Sequence, residues 1–396
     1  MLLLKSFRGM VRWGAARCPG WPGIANQQRR PIVKPSLVQG SLVVFLAALT
    51  GMFVWLGGPT SADDNDQGRG RRPQTYTVLV GAEDTDVGAT VVGFFPENLR
   101  IHVGDTVHWQ RNTHEIHTVT FLAGTPLPPF NVPAPPGLPS PQMHNPLITF
   151  PVAPAGGQYD GTTFATSGIF GPDGEAQFEV DSFDLTFTRP GTYNYVCAVH
   201  GTVMSGQIIV VDRHQRIPSP GQVNQEARRA IAEVLDAAPD AIGLAEAEVP
   251  PPTQNADGTT TYHVLVGYAV GQLYLDHFFP AELTVQPGDT VEWTFSMQDT
   301  AVHTISFLNG NPSPDGVIPW PQPDGPPLLL VNPEILNPQN EDQPLIRQGV
   351  YNTGVLRPGN PPPSVALTIG DISGAEPYQC FLHDDSGMLG TLYIVP

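Results

Sequence analysis

The chain has 396 residues, room for two or three ordinary domains. With 41 Gly and 44 Pro it is rich in turn formers, which excludes a helical bundle or coiled coil and points to short strands joined by loops. A net charge of −18 with only 19 basic side chains excludes the basic footprint of a nucleic-acid binder, and three Cys exclude a disulfide scaffold.

In chain order, the leader comes first. Lys5, Arg8, Arg12, Arg17, Arg29, Arg30 and Lys34 carry all the charge of residues 1–62, and an uncharged apolar run follows at 36–58. Its length suits a transmembrane helix or the core of a long signal peptide. Arg29-Arg30 resembles a twin-arginine export signal, and Ala62 ends a candidate cleavage site. Cys18 precedes the run, so it is not a lipoprotein cysteine. The basic flank stays in the cytoplasm, so the rest is expected outside, in the periplasm or on the outer face of the membrane.

Residues 73–213 and 259–396 are one unit written twice. Tyr76-Thr77-Val78-Leu79-Val80-Gly81 matches Tyr262-His263-Val264-Leu265-Val266-Gly267. Phe94-Phe95-Pro96 matches Phe278-Phe279-Pro280, and Gly104-Asp105-Thr106-Val107-His108-Trp109 matches Gly288-Asp289-Thr290-Val291-Glu292-Trp293. His117-Thr118-Val119-Thr120-Phe121 matches His303-Thr304-Ile305-Ser306-Phe307. Apolar residues alternate through these runs, the period of strands with one buried face. About seven or eight strands per copy predict an all-β chain of two antiparallel sandwiches. Residues 126–154 hold 11 prolines and residues 312–363 hold 14, which predicts long surface loops over one end of each sandwich. Between the copies, at 214–258, Val223, Ala227, Ile231, Val234 and Leu235 fall at helical spacing, so one short linker helix is expected from Gln222 to Ala237, with Pro- and acid-rich linker from Glu246 to Gly258.

Each copy closes on the same constellation. Cys197, His200 and Met204 stand as Cys-x2-His-x3-Met, and Cys380, His383 and Met388 as Cys-x2-His-x4-Met. His117 and His303 lie about 80 residues upstream. A Cys ending one strand, a His in the turn and a Met opening the next strand converge from one hairpin, and the upstream His closes the set. Two imidazoles and a thiolate in a plane, with a weak axial thioether, are the ligands of a blue type 1 copper centre. The other seven His are unassigned, and a further site from His102, His108 and His114 is an open alternative to solvent-facing strand positions.

Both copies resemble the cupredoxins, the family of plastocyanin, pseudoazurin, amicyanin and auracyanin. The Gly-Asp-Thr-Val-x-Trp turn, the His-Thr-x-x-Phe strand and the Cys-x2-His loop carry the resemblance. It implies tandem Greek-key sandwiches, with one copper cycling between Cu(I) and Cu(II) in each. His117, Cys197, His200 and Met204 would bind the first, and His303, Cys380, His383 and Met388 the second. It also implies that His200 and His383 present an imidazole edge at an apolar surface where electrons enter and leave. Several family members carry Asn after the first His, whereas Thr118 and Thr304 stand here.

The expected function is single-electron transfer by an exported or membrane-anchored protein. Its partners would be a redox donor and acceptor with basic docking patches, and the membrane itself if residues 36–58 are retained. Copper binding, delivery or a structural role without redox cycling is the alternative, and a metal-free copy is a further one. An oxidase or nitrite reductase is disfavoured. The former needs His-x-His pairs, of which there are none; the latter carries a His directly before the copper Cys, where Val196 and Gln379 stand. A disulfide between Cys197 and Cys380 is awkward, because they occupy equivalent places in separate copies.

Overall fold

The computed structural model describes residues 72–171, 180–340 and 343–396. The leader, with its apolar run at 36–58, lies outside them. Among the described residues no helix is long and apolar enough to cross a membrane.

Each repeat folds as two sheets face to face. In the first, the strand Thr75–Asp84 lies between Ala89–Phe95 and Thr106–Arg111, and Ser182–Phe187 continues that sheet. The facing sheet runs Asn98–His102, Gly201–Val211, Gly191–Cys197, Thr120–Phe121, Ala165–Thr166. The second repeat has the same order: Glu282–Val285, Leu389–Ile394, Gly374–Gln379, Ser306–Phe307, Tyr351–Asn352. The sheets are mixed rather than wholly antiparallel. Thr75–Asp84 pairs in parallel with Thr106–Arg111, and Gly201–Val211 with Asn98–His102. The chain crosses between the two sheets before returning, and such crossovers bring strands back in the same direction.

The period-2 residues fill the space between the sheets. Trp109 is fully buried and meets Tyr195 edge-on at 5.4 Å and 77°; Trp293 meets Tyr378 at 5.6 Å and 80°. Phe121 and Phe307 complete the two aromatic clusters. Each such ring contributes roughly 1.5–3 kcal/mol by leaving water.

Two features join the repeats. The edge strand Ala89–Phe95 pairs with the edge strand Leu273–Phe279, Leu273 opposite Val91 and Leu275 opposite Ala89, so two sheets become one of ten strands. Thr90 Oγ1 donates to Asp276 Oδ2 across this seam at 2.6 Å. The proline-rich stretches form the second joint. They are not simple loops: Asn131–Pro133 pairs with Gln142–His144 in the first repeat and Val317–Trp320 with Leu328–Val331 in the second, and the two hairpins join through Gln142–His144 and Leu328–Val331 into a four-stranded sheet. Pro133 and Pro319 sit on its two outer strands, where a missing N–H breaks no ladder.

The segment between the repeats holds two helices. Pro220–Leu235 starts at a capping box of Ser219 and Gln222, and its Val223 and Ala227 pack against the first repeat's sheet. Ala238–Glu248 was not expected from sequence. Pro239 occupies the first turn of this second helix, where its lost donor costs nothing. Ala238, Ala241 and Ala245 let this helix lie close on Leu265, Tyr268 and Leu273.

Candidate metal centres

Cys197 ends the strand Gly191–Cys197, where alternation places it on the same buried face as Tyr193 and Tyr195. His200 follows in the turn, and Met204 lies on the next strand. His117 is held by paired backbone bonds with Phe170, its N–H donating at 3.2 Å and its C=O accepting at 2.8 Å. These elements bring three donors together. Cys197 Sγ lies 3.9 Å from His117 Nδ1 and 3.5 Å from His200 Nδ1, and the two nitrogens are 3.2 Å apart. In the second repeat the corresponding distances are 3.8, 3.5 and 3.0 Å for Cys380, His303 and His383. The centre of either triangle is about 2 Å from each corner, the length of a metal bond to N or S. Among the described residues these are the two groupings able to hold a metal ion. Met204 and Met388 are fully buried in the same cores as Cys197 and Cys380.

The residues after the first His have a defined role. Thr118 N–H donates to Cys197 Sγ at 3.3 Å, and Thr304 N–H to Cys380 Sγ at 3.4 Å. Thr118 Oγ1 accepts from the N–H of Ala198 at 2.7 Å, and Thr304 Oγ1 from that of Phe381 at 2.9 Å. Each Thr thus ties the strand of the upstream His to the Cys loop. Gly81 and Gly267 sit at β-bulges with φ of +69° and +66°, and a Cβ at either would lie 2.8 Å from Nε2 of His117 or His303. The bulge brings bare backbone against the ring, and only Gly allows that approach.

The centres differ behind the upstream His. His117 Nε2 is buried without a hydrogen-bond partner. His303 Nε2 donates to Asp299 Oδ2 at 2.8 Å, and both side chains are buried. Burial, then His200, holds His117 well below the usual imidazole range. Burial also pulls on His303, but the Asp299 bond and charge outweigh it and hold it up to about 9. Burial raises the Cys197 thiol. At Cys380 it is outweighed by His383 and His303, and the thiol is lowered.

The loop imidazoles of His200 and His383 approach the same carboxyl. Glu115 Oε1 lies 3.6 Å from His200 Nε2, and Glu115 Oε2 lies 3.6 Å from His383 Nε2. The two His side chains are 18% and 8% exposed, so neither presents a free outer edge as the family resemblance implied. Burial pushes the Glu115 carboxyl up to about 7, against the opposing pull of His383. These groups, with Asp276 and His144, line a cavity of about 780 Å³ between the repeats.

Asp299, Glu115 and Asp276 were missed from sequence. Aligning the repeats four residues before the metal His would have shown Asp299 against Thr113. The three His considered as a further site do not converge. His102 is buried, not solvent-facing, and donates from Nε2 to the Gln215 carbonyl at 2.8 Å. The chain after the last strand of the repeat folds over it. His108 pairs with Asp184 at 2.9 Å, and His114 with Glu83.

The family described as copper binding proteins, plastocyanin/azurin family, matches residues 81–211. That segment is cupredoxin-like. An oxidised amicyanin variant is 18% identical and covers 35% of this chain and 82% of its own, with a TM-score of 0.20. The oxidised plastocyanin of Dryopteris crassirhizoma is 22% identical, covering 34% and 99%, also at 0.20.

Proposed function

We propose that the chain is a tandem cupredoxin, with 73–213 and 259–396 as its two copper domains, that carries single electrons. The observation that carries this reading is the pair of His–Cys–His triangles, each in a buried pocket with a Met in the same core. Soft sulfur and imidazole donors fit copper in both oxidation states, and copper would supply the reversible one-electron couple. His117, Cys197, His200 and Met204 would hold one ion, and His303, Cys380, His383 and Met388 the other.

This chain's own residues do the rest. The Thr118 and Thr304 amides stabilise the thiolates, and the ties from their hydroxyls fix each ligand loop. Glu115 lies between the exit imidazoles, His200 and His383, at ion-pair distance from each, so the two loop histidines approach one another across a single carboxyl and exchange between the centres is the favoured route. The family resemblance and the lack of His-x-His pairs favour a carrier over an oxidase. An extracytoplasmic location, through a cleaved signal or an anchor at 36–58, and partners with basic docking patches belong to the same reading. Its basis is the apolar run and the net charge of −18, which also makes association salt-sensitive.

The test is copper content with visible absorption and EPR. Two coppers per chain, with an intense thiolate band bleached by reductant and restored by oxidant, are expected. Cys197→Ser and Cys380→Ser each remove one. Colourless protein, or copper lost on each redox cycle, refutes the carrier reading and leaves binding or delivery.

A further inference from the structure

The two centres share their ligand types and the amide bond to sulfur, 3.3 Å in one and 3.4 Å in the other. Glu115 touches both exit imidazoles at the same 3.6 Å, so it does not distinguish them. The clear difference lies behind the upstream His. Thr113 and Asp299 each stand four residues before it. Thr113 turns its hydroxyl away to Glu83 Oε2 at 2.9 Å, leaving its methyl carbon against Gly81 and His117 Nε2 without a partner. Asp299 does the opposite. It is 3% exposed, its Oδ1 accepts from the Ala301 N–H at 2.7 Å, and its Oδ2 accepts from His303 Nε2 at 2.8 Å.

We propose that Asp299 is a positioning residue that makes the two centres unequal, holding the second at a lower reduction potential than the first. A carboxylate bonded to the outer nitrogen fixes the imidazole's orientation and raises its basicity as a ligand. A more basic ligand beside a buried negative charge favours Cu(II) over Cu(I), because the higher charge gains more in a low-dielectric site. Asp276, on the second repeat's seam strand and lining the cavity with His383, adds negative charge that acts on His383. In a singly reduced chain the electron therefore rests on the first centre. Exchange moves one electron from the second to the first, with no proton required. This inference rests on the copper reading above.

The test is a spectroelectrochemical titration of the full copper-loaded chain, with Cys197→Ser and Cys380→Ser isolating each centre. At least a tenfold difference in oxidised-to-reduced equilibrium is expected, about 59 mV for one electron, the second centre being lower. Asp299→Asn, which keeps the shape and removes the charge, raises the second potential and leaves the first unchanged. Thr113→Asp lowers the first, and this converse variant decides the matter if Asp299→Asn does not fold. In copper-free protein, nitrogen NMR of His303 shows a proton held on Nε2 that Asp299→Ala releases. Equal potentials in a two-copper chain, or an unmoved second potential in Asp299→Asn, overturn this inference alone. Failure to bind copper overturns the reading beneath it as well, and the NMR arm then reports only the Asp299 bond.

Discussion

Gly81 offers a sharp test of how the first centre is built. Its φ is +69°, and an added Cβ would lie 2.3 Å from Thr113 Cγ2 and 2.8 Å from His117 Nε2. Gly81→Ala therefore incurs two costs. A non-glycine residue in the left-handed region costs about 1–2 kcal/mol. Forcing a methyl into a filled site costs about 1–3 kcal/mol more. Gly124 separates the two, since its φ is +86° and a Cβ there meets nothing within 4 Å. Gly124→Ala should incur only the backbone cost, so the two variants should differ by about 1–3 kcal/mol. Urea unfolding of the copper-free proteins, compared at constant m value, measures that difference. The copper-loaded Gly81→Ala protein should also show a shifted thiolate band, because His117 must move. Equal stabilities and an unchanged band would refute the claim that the bulge is shaped around the ring.

His144 donates from Nδ1 to Asn131 Oδ1 at 2.7 Å, and burial pushes its imidazole down to about 4. A depressed His favours the fold above its unfolded value of about 6.5, and that contribution drains as pH falls toward 4, up to about 3 kcal/mol. His144→Gln should therefore lose less stability than the native chain between pH 7 and pH 4.5 in urea titrations; parallel losses would contradict the assignment. Phe121→Ala should destabilise by about 3–5 kcal/mol, since it opens a hole beside Trp109, Tyr159 and Tyr195. A loss under 1 kcal/mol in chemical denaturation would mean that the core collapses to fill it. Thr90→Ala leaves the buried Asp276 carboxylate without its seam partner and should cost about 1–3 kcal/mol, with faster amide exchange across Ala89–Phe95. Unchanged exchange there would place the strength of the seam elsewhere.

Much of this organisation can be read from the chain. The doubled motifs mark equivalent strands, because each pairs a fixed turn with alternating apolar residues. The Cys and His of each closing loop are legible because one hairpin fixes their spacing. What escapes has physical reasons. The proline-rich stretches read as loops because their prolines mask short hairpins, Asn131–Pro133 with Gln142–His144 and Val317–Trp320 with Leu328–Val331, which meet each other only at Leu330 and Met143. Ala89–Phe95 is buried at every position, an apolar run typical of a strand covered on both faces, and that signal for the seam was in the sequence. Glu115 reads as an ordinary loop acid until the repeats are brought together. Asp299 reads as a turn residue until the backbone bends it under His303.

The strand pairing between Ala89–Phe95 and Leu273–Phe279 has a consequence for any attempt to take the protein apart. Cutting the chain between the repeats converts one continuous ladder into two open, apolar borders. Each border is a template for a strand of another molecule. An excised half is thus a sticky module, prone to pair with its own copies, and the second repeat serves the first as a resident stopper against uncontrolled polymerisation.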